Sequence, residues 1–360
     1  MEKVGEIVSR IRAGSRISAA EAEKLWREAP LSLLGQLAEG VKRSKSGDAV
    51  FYNRNFHIEP TNICVFNCRF CSYRRDAGSE EAWNYSLADI ESIARRYEGS
   101  DVTEVHIVGG VHPDHDLGYY AGMIRTVKNV LPGVSVKAFT AIELAYMIEK
   151  AGLSHTEGLK VLKNAGMEAI PGGGAEIFDE KLRAEICPEK GSAGKWLALH
   201  RRAHRLGIRT NATILYGHAE TLQQRLDHLE RLRLLQDETG GFDAFIPLKY
   251  RAANNNMGSL GEVSVVEDMK MLSMSRIFLD NFPHIKAYWV MYGKNVAEMA
   301  LAYGADDIDG TIDDTTRIYS MAGAEEQKPR LTVAEIEEMA ARAGLRAVER
   351  DTFYNEIVRQ

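Results

Sequence analysis

The sequence predicts an α/β chain folded as a (β/α)8 TIM-type barrel, with an N-terminal helical extension and a small C-terminal helix–strand unit. From about residue 51 onward, strand-length runs alternate with helix-length amphipathic stretches. Strands separated by a helix's length of chain pair in parallel. About eight such units fit between residues 51 and 330, which suits one barrel. The competing architecture, a doubly wound sheet, would place a Gly-rich dinucleotide turn after the first strand, and that turn carries cysteines instead.

Residues 1–50 read as helices. Ser18 caps Ala19–Arg27, Leu31–Lys42 is amphipathic, and no strand signal appears. The strand candidates of the barrel are Asn55–Glu59, Glu104–Val108, Ser135–Phe139, Met167–Ile170, Arg209–Leu215, Ala244–Pro247, Ile285–Trp289 and Asp307–Gly310. Leu87–Tyr97 follows Ser86 as a cap, and Tyr119–Val130 stops at Pro132-Gly133. Leu159–Asn164, Lys195–Leu206 and Leu222–Asp237 end near Gly166, Gly207 and Gly240. Val266–Asp280 stops before Pro283. Residues 331–360 hold a last helix, Leu331–Gly344, and a strand, Leu345–Arg350, expected to pack on the barrel.

The 360 residues are 45% hydrophobic and 27% charged, a balance that supports a sizeable core. The net charge of −6 and the lack of a long basic run argue against nucleic acid as a partner. No run of about 18 apolar residues exists, so no membrane span is expected. The stretch Met1–Ser9 lacks the apolar centre of a signal peptide, leaving the cytoplasm as the expected location.

Of four cysteines, Cys64, Cys68 and Cys71 crowd together while Cys187 stands alone. A disulfide framework would spread its cysteines and suit a shorter secreted chain. The segment from Glu59 to Tyr73 has the spacing C-x3-C-x2-C directly after a strand candidate. Three thiolates so placed bind three corners of a cubane, leaving a fourth iron open to an incoming ligand. A zinc ribbon would need a second C-x2-C pair, and none exists, although His57 stands near enough in sequence to supply a fourth ligand. An electron-carrying ferredoxin would need a fourth cysteine. Cys187 is the sole candidate and reads more simply as a small buried hydrophobe. Two histidine pairs, His112/His115 and His200/His204, imitate metal sites, but neither reads as one, and the second, among Arg201, Arg202 and Arg205, reads as a solvated basic helix face.

This cysteine segment resembles the signature of the radical S-adenosylmethionine (SAM) superfamily. The resemblance implies a [4Fe–4S] cluster on Cys64, Cys68 and Cys71, and SAM chelating the open iron through its methionine amine and carboxylate. It implies that Phe70 packs on the adenine and that Tyr73 contacts the same ring. A second signature, a Gly-Gly pair after the second strand, matches Gly109-Gly110. Glycine lets backbone carbonyls approach a ligand's ammonium group. The acidic residue that usually follows the pair is replaced by Val111-His112-Pro113. Glu176, in PGGGAEIF after the fourth strand, is placed to accept hydrogen bonds from ribose hydroxyls, with a helix-start carboxylate as the competing reading.

HIEPTNIC, PGGGAEIF, NATILYGH, FIPLKYR, HIKAYW and SMAGAEEQKP, spread from about Tyr52 to Arg330, resemble segments of the aminodeoxyfutalosine synthases of menaquinone biosynthesis. Cyclic dehypoxanthinyl futalosine synthases share the cluster loop and the PGGGAE segment, and remain the alternative. A non-catalytic metal-binding protein is the alternative of another class. The first resemblance implies addition of the 5′-deoxyadenosyl radical to 3-[(1-carboxyvinyl)oxy]benzoate, aryl migration and loss of a carboxylate, giving 6-amino-6-deoxyfutalosine. It also implies an electron donor such as flavodoxin or ferredoxin.

A substrate with two carboxylates asks for cations, and arginine offers a bidentate fork. Arg251 at a strand end is the first candidate, then Lys286, Lys249 and Arg74. His57 is a candidate to bind substrate or donate a proton. Barrel sites lie at strand carboxyl ends, so Thr213, Tyr216 and His218 are expected to face the site, with Thr213 toward SAM.

Overall fold

The computed structural model describes residues 3–359. Eight strands form its centre: β1 (Ala49–Ile58), β2 (Glu104–Ile107), β3 (Ser135–Ala138), β4 (Met167–Ile170), β5 (Arg209–Tyr216), β6 (Phe242–Lys249), β7 (His284–Ile285) and β8 (Asp307–Ile312). All pair in parallel, in the order β7-β6-β5-β4-β3-β2-β1-β8. The ring closes between β7 and β8. There Asp306 N–H donates to Ile285 O at 3.0 Å, Ala287 N–H donates to Asp307 O at 2.8 Å, and Lys286 stands opposite Asp307. The eight-stranded barrel is therefore present, and the doubly wound sheet is not.

Two strands depart from the expected limits. β1 begins at Ala49 rather than Asn55 because its first half pairs with β9 (Arg346–Glu349), from the far end of the chain. β9 lies on the same side of β1 as β2 and beneath it, with Arg350 N–H donating to Tyr52 O at 2.8 Å. β7 holds only two residues. The segment read as its continuation turns into a short helix, Trp289–Tyr292, and the buried Trp289 indole donates to Gly310 O at 2.8 Å. The short β7 also explains how Pro247 sits in β6. Odd-numbered β6 residues face β7, as Lys286 N–H to Phe245 O shows, and beyond Phe245 no β7 partner asks for the missing N–H.

The outer helices start where side chains satisfy their free N–H groups. Ser86, Thr140, Ser154, Thr221 and Thr332 each form a reciprocal capping box with an acidic or amide residue three positions on. The helix Ala141–Lys150, capped by Thr140, is not among the expected helices; it buries most of its side chains and leaves Glu149 and Lys150 exposed at its end. Glu180–Ile186 is too short to show an amphipathic period. At the N-terminus, Leu31–Ser46 packs on Val265–Phe278, and the buried Lys42 ammonium donates to Leu301 O at 2.9 Å.

Candidate active site

A cavity of about 240 Å³ opens at the carboxyl ends of the strands. Its rim comes from the segments that follow β1 to β4 and β8, and its floor lies inside the barrel. Cys64, Cys68 and Cys71 all line it, with Phe66, Phe70 and Tyr73 between and beyond them. Their loop is tied down on two sides. Val65 N–H donates to Val111 O at 2.9 Å, and Arg69 N–H donates to Ile186 O at 2.8 Å. Burial pushes the Cys64 and Cys68 thiols up, so the bare chain keeps them protonated.

Gly109 and Gly110 serve this loop directly. A Cβ on Gly110 would stand 2.4 Å from Ile63 O, and one on Gly109 would stand 2.8 Å from Thr61 O. Gly110 N–H donates to Thr61 O at 2.7 Å. The pair is thus needed first so that the β2 turn can press against the cysteine loop. Where the usual acid after the pair is missing, another carboxylate arrives from a different element. Glu143 accepts from Gly109 N–H at 3.1 Å and lines the cavity, and burial raises its carboxyl to about 7.

The floor is a buried polar layer. His57 on β1, His106 on β2 and Lys137 on β3 stand side by side in the parallel register. Lys286, next to β7, and Asp309 on β8 complete it. Lys137 pairs with Glu104 at 2.8 Å, and Lys286 pairs with Asp309. Burial works against the Glu104 charge, but Lys137, Arg350 and Lys286 hold its carboxyl down at about 2. Asp309 is held well below the carboxylate range by Lys286, against burial. Burial draws His57 down to about 4 and His106 to about 3, so both are neutral near pH 7.

Of the residues singled out in the sequence, the three cysteines, His57, Phe70, Tyr73, Arg74, Gly109, Gly110, Thr213 and Lys286 meet at this cavity. Thr213 Oγ1 donates to Gly172 O at 2.9 Å. Glu176 stands just behind the wall, buried and paired with Lys190. Four expected substrate contacts are placed elsewhere. Tyr216 points away, donating to Asp268 at 2.6 Å in the core. Lys249 pairs with the same Asp268 at 2.8 Å. His218 is held by Leu215 O and Glu220. Arg251 is taken up by Gly323 O at 2.9 Å and Glu262 at 3.2 Å. Each lies at a strand end, but at those positions the side chain faces the helix layer or a neighbouring loop. Sequence reasoning missed His106, Lys137, Lys190, Glu104 and Glu143, whereas the segment Asp306–Gly310 reads as carrying a strand-end carboxylate facing the barrel mouth, and Asp309 does line the cavity. A charged residue inside a short apolar strand, as in EVHI and SVKA, was the available signal for the β2 and β3 members.

The donor set fits an iron–sulfur cubane. Among the described residues, no three His, Cys, Asp or Glu side chains gather as ligands of a single ion. Cubane ligands each bind a separate iron and need not converge on one point. The Lys190 ammonium, kept charged against burial by its pairing with Glu176, lies 5.2 Å from the Phe70 ring centre beside the same loop.

Barrel, cysteine loop and glycine turn define a class, and the chain belongs to the radical SAM superfamily. Residues 58–232 match the Radical SAM superfamily model, and residues 239–359 match the CofH/MqnC C-terminal region. A relative from Thermus thermophilus named aminodeoxyfutalosine synthase is 41% identical over 98% of this chain and 95% of its own. One of the same name from Streptomyces coelicolor is 38% identical over 99% and 94%. A 5-amino-6-(D-ribitylamino)uracil–L-tyrosine 4-hydroxyphenyl transferase from Methanoculleus marisnigri is 38% identical over 97% and 96%. The crystal structure of methylornithine synthase superposes with a TM-score of 0.76 at 15% identity, covering 94% of this chain and 96% of that one, which shows the shared fold. The protein is a radical SAM enzyme whose cofactors are a [4Fe–4S] cluster and SAM. Among the described residues no helix is long and apolar enough to cross a membrane.

Proposed function

We propose that this enzyme joins the 5′-deoxyadenosyl group of SAM to 3-[(1-carboxyvinyl)oxy]benzoate, giving 6-amino-6-deoxyfutalosine. Cys64, Cys68 and Cys71 hold the cluster. When bound, the cluster supplies the electron that splits SAM into methionine and the adenosyl radical. The adenosyl carbon bonds to the methylene of the enol ether, the aryl group passes from oxygen to carbon, and the adjacent carboxylate leaves as carbon dioxide or bicarbonate, giving up the one electron that SAM cleavage took in, so that the reaction is redox-neutral. The ether oxygen becomes the ketone oxygen. No proton is delivered to carbon, so His57, neutral at pH 7, serves as a hydrogen-bonding group rather than an acid.

The observation that carries this reading is the meeting, in one cavity, of the cysteine loop, an apolar wall and four cations. Ile246, Leu248, Val108 and Ile318 suit the aryl ring. Lys137, Lys190, Lys286 and Arg74 suit a substrate with two carboxylates and the SAM carboxylate. The two near-full-length relatives named aminodeoxyfutalosine synthase support the same choice. The electron comes from a flavodoxin or ferredoxin, and the enzyme works in the cytoplasm.

The test is anaerobic incubation of the cluster-loaded enzyme with SAM, a reductant and the enolpyruvyl benzoate, followed by mass analysis. The adenine nucleoside adduct is expected. Free 5′-deoxyadenosine without adduct overturns the reading and favours a hydrogen-abstracting relative such as a cyclic dehypoxanthine futalosine synthase.

A further inference from the structure

The chain has ten histidines. Eight have a ring nitrogen tied to the protein. His112 accepts from Asp114 N–H, and His115, His155, His200, His204, His218, His228 and His284 each face an oxygen partner. His57 and His106 are the exceptions: among the described residues neither ring has a hydrogen-bond partner, and both Nε2 atoms are buried without one. These two rings sit edge to face, 4.6 Å apart, on the cavity floor. A buried polar group left unpaired costs about 1–3 kcal/mol, so such a pair at a cavity wall marks a place where a ligand completes the bonding.

The ligand's chemistry follows from the surroundings. Lys137 and Lys286 are already matched by Glu104 and Asp309, so the layer is balanced in charge but short of an acceptor. Each neutral imidazole carries one N–H, and a carboxylate is an acceptor with room for two. Its charge then enters a layer in which each ammonium group is already paired, so the two imidazole N–H groups carry the recognition. The position favours the end of the substrate that does not react. His106 precedes Gly109 by three residues, roughly 10 Å of strand, so the histidines stand well below the cysteine loop.

We propose that His57 and His106 together bind the ring carboxylate of the benzoate and so set both the selectivity for aryl acids and the depth at which the enol ether stops. This rests on the function proposed above and names the contact that recognises its substrate.

The probe is 3-methoxybenzoate, titrated calorimetrically into the cluster-loaded enzyme, with 3-methoxybenzamide as the uncharged counterpart. His106→Phe and His57→Phe are each expected to weaken the acid by about 10-fold or more and the amide, whose carbonyl accepts a weaker uncharged bond, by clearly less. His106→Gln, which keeps an N–H donor, is expected to restore part of the loss, separating this role from a packing defect. Equal effects on acid and amide, or none on either, overturn the proposal. The Michaelis constant for the enolpyruvyl benzoate separates the two readings. If His106→Phe leaves it unchanged while the adduct still forms, the carboxylate contact is wrong and the reaction stands. If no adduct forms but the acid still needs both histidines, the reaction is wrong and the contact stands.

Discussion

At the scale of single residues, the turn glycines make the sharpest demand on the site. An alanine Cβ at position 110 would lie 2.4 Å from a backbone carbonyl, which cannot swing aside as a side chain does. Gly110→Ala is therefore expected to push the cysteine loop out of register and to lower the iron bound per chain at least several-fold, with the barrel still folded. Gly133→Ala, whose Cβ would meet nothing within 4 Å, is the matched control and is expected to load normally. Iron and sulfide analysis with circular dichroism checks both. The cysteines and these glycines were legible because their spacing is local and their chemistry is narrow. His106, Lys137 and Glu143 were not. They reach the site through strand register and a helix start, which no spacing along the chain records. Arg251, Lys249, Tyr216 and His218 misled for the same reason: a strand end gives position, but not which way the side chain turns.

At the scale of elements, β9 and the residues after it hold the barrel floor from below. Arg350, fully buried, pairs with Asp307 at 2.7 Å, and Asp307 lies 3.6 Å from Lys286 of the cavity. Thr352 donates to Glu104 at 2.6 Å, and Glu104 pairs with Lys137. Two short chains of contacts thus run from one C-terminal segment to both floor lysines. Removing Arg350 alone leaves the Asp307 charge buried without its main partner, which costs about 3–5 kcal/mol. Arg350→Met is expected to lower stability by that amount in denaturant titration, and Arg350→Met with Asp307→Leu to recover part of it. If the double variant is no better than the single one, the buried charge is not the cause. The helices and most strands were readable from caps, Gly stops and apolar runs. The start of β1 and the end of β7 were not, because a partner some 300 residues away extends the first and a buried tryptophan ends the second.

For the whole molecule, seven histidines held neutral by burial govern the response to acid. Burial lowers His57 and His115 to about 4 and His106, His204 and His228 to about 3, and it lowers His200 and His218 as well. Their contribution is complete above the ordinary value of 6.5 and is lost as pH falls toward 4, since the unfolded chain takes up protons first. Each adds a slope of up to about 1.4 kcal/mol per pH unit in that window. Glu59 and Glu143, raised by burial to about 7, act oppositely: their contribution is complete below 4.5 and lost as pH rises through 7. Seven histidines outweigh these two and the burial-raised Asp268, so the thermal midpoint is expected to fall between pH 7 and pH 5. His200→Gln, far from the cysteines in the core beside Thr210, is expected to flatten that fall. A midpoint that rises toward pH 5 overturns the account. The alternation of strands and helices and the three-cysteine loop could be read along the chain, because each depends on residues within one turn or one element of each other, and the alternation in turn implied a barrel. The floor of the site and the closure of β7 on β8 could not. Those depend on which strands stand side by side and on which face of each strand looks inward, and both are settled by packing across the ring rather than by order along the chain.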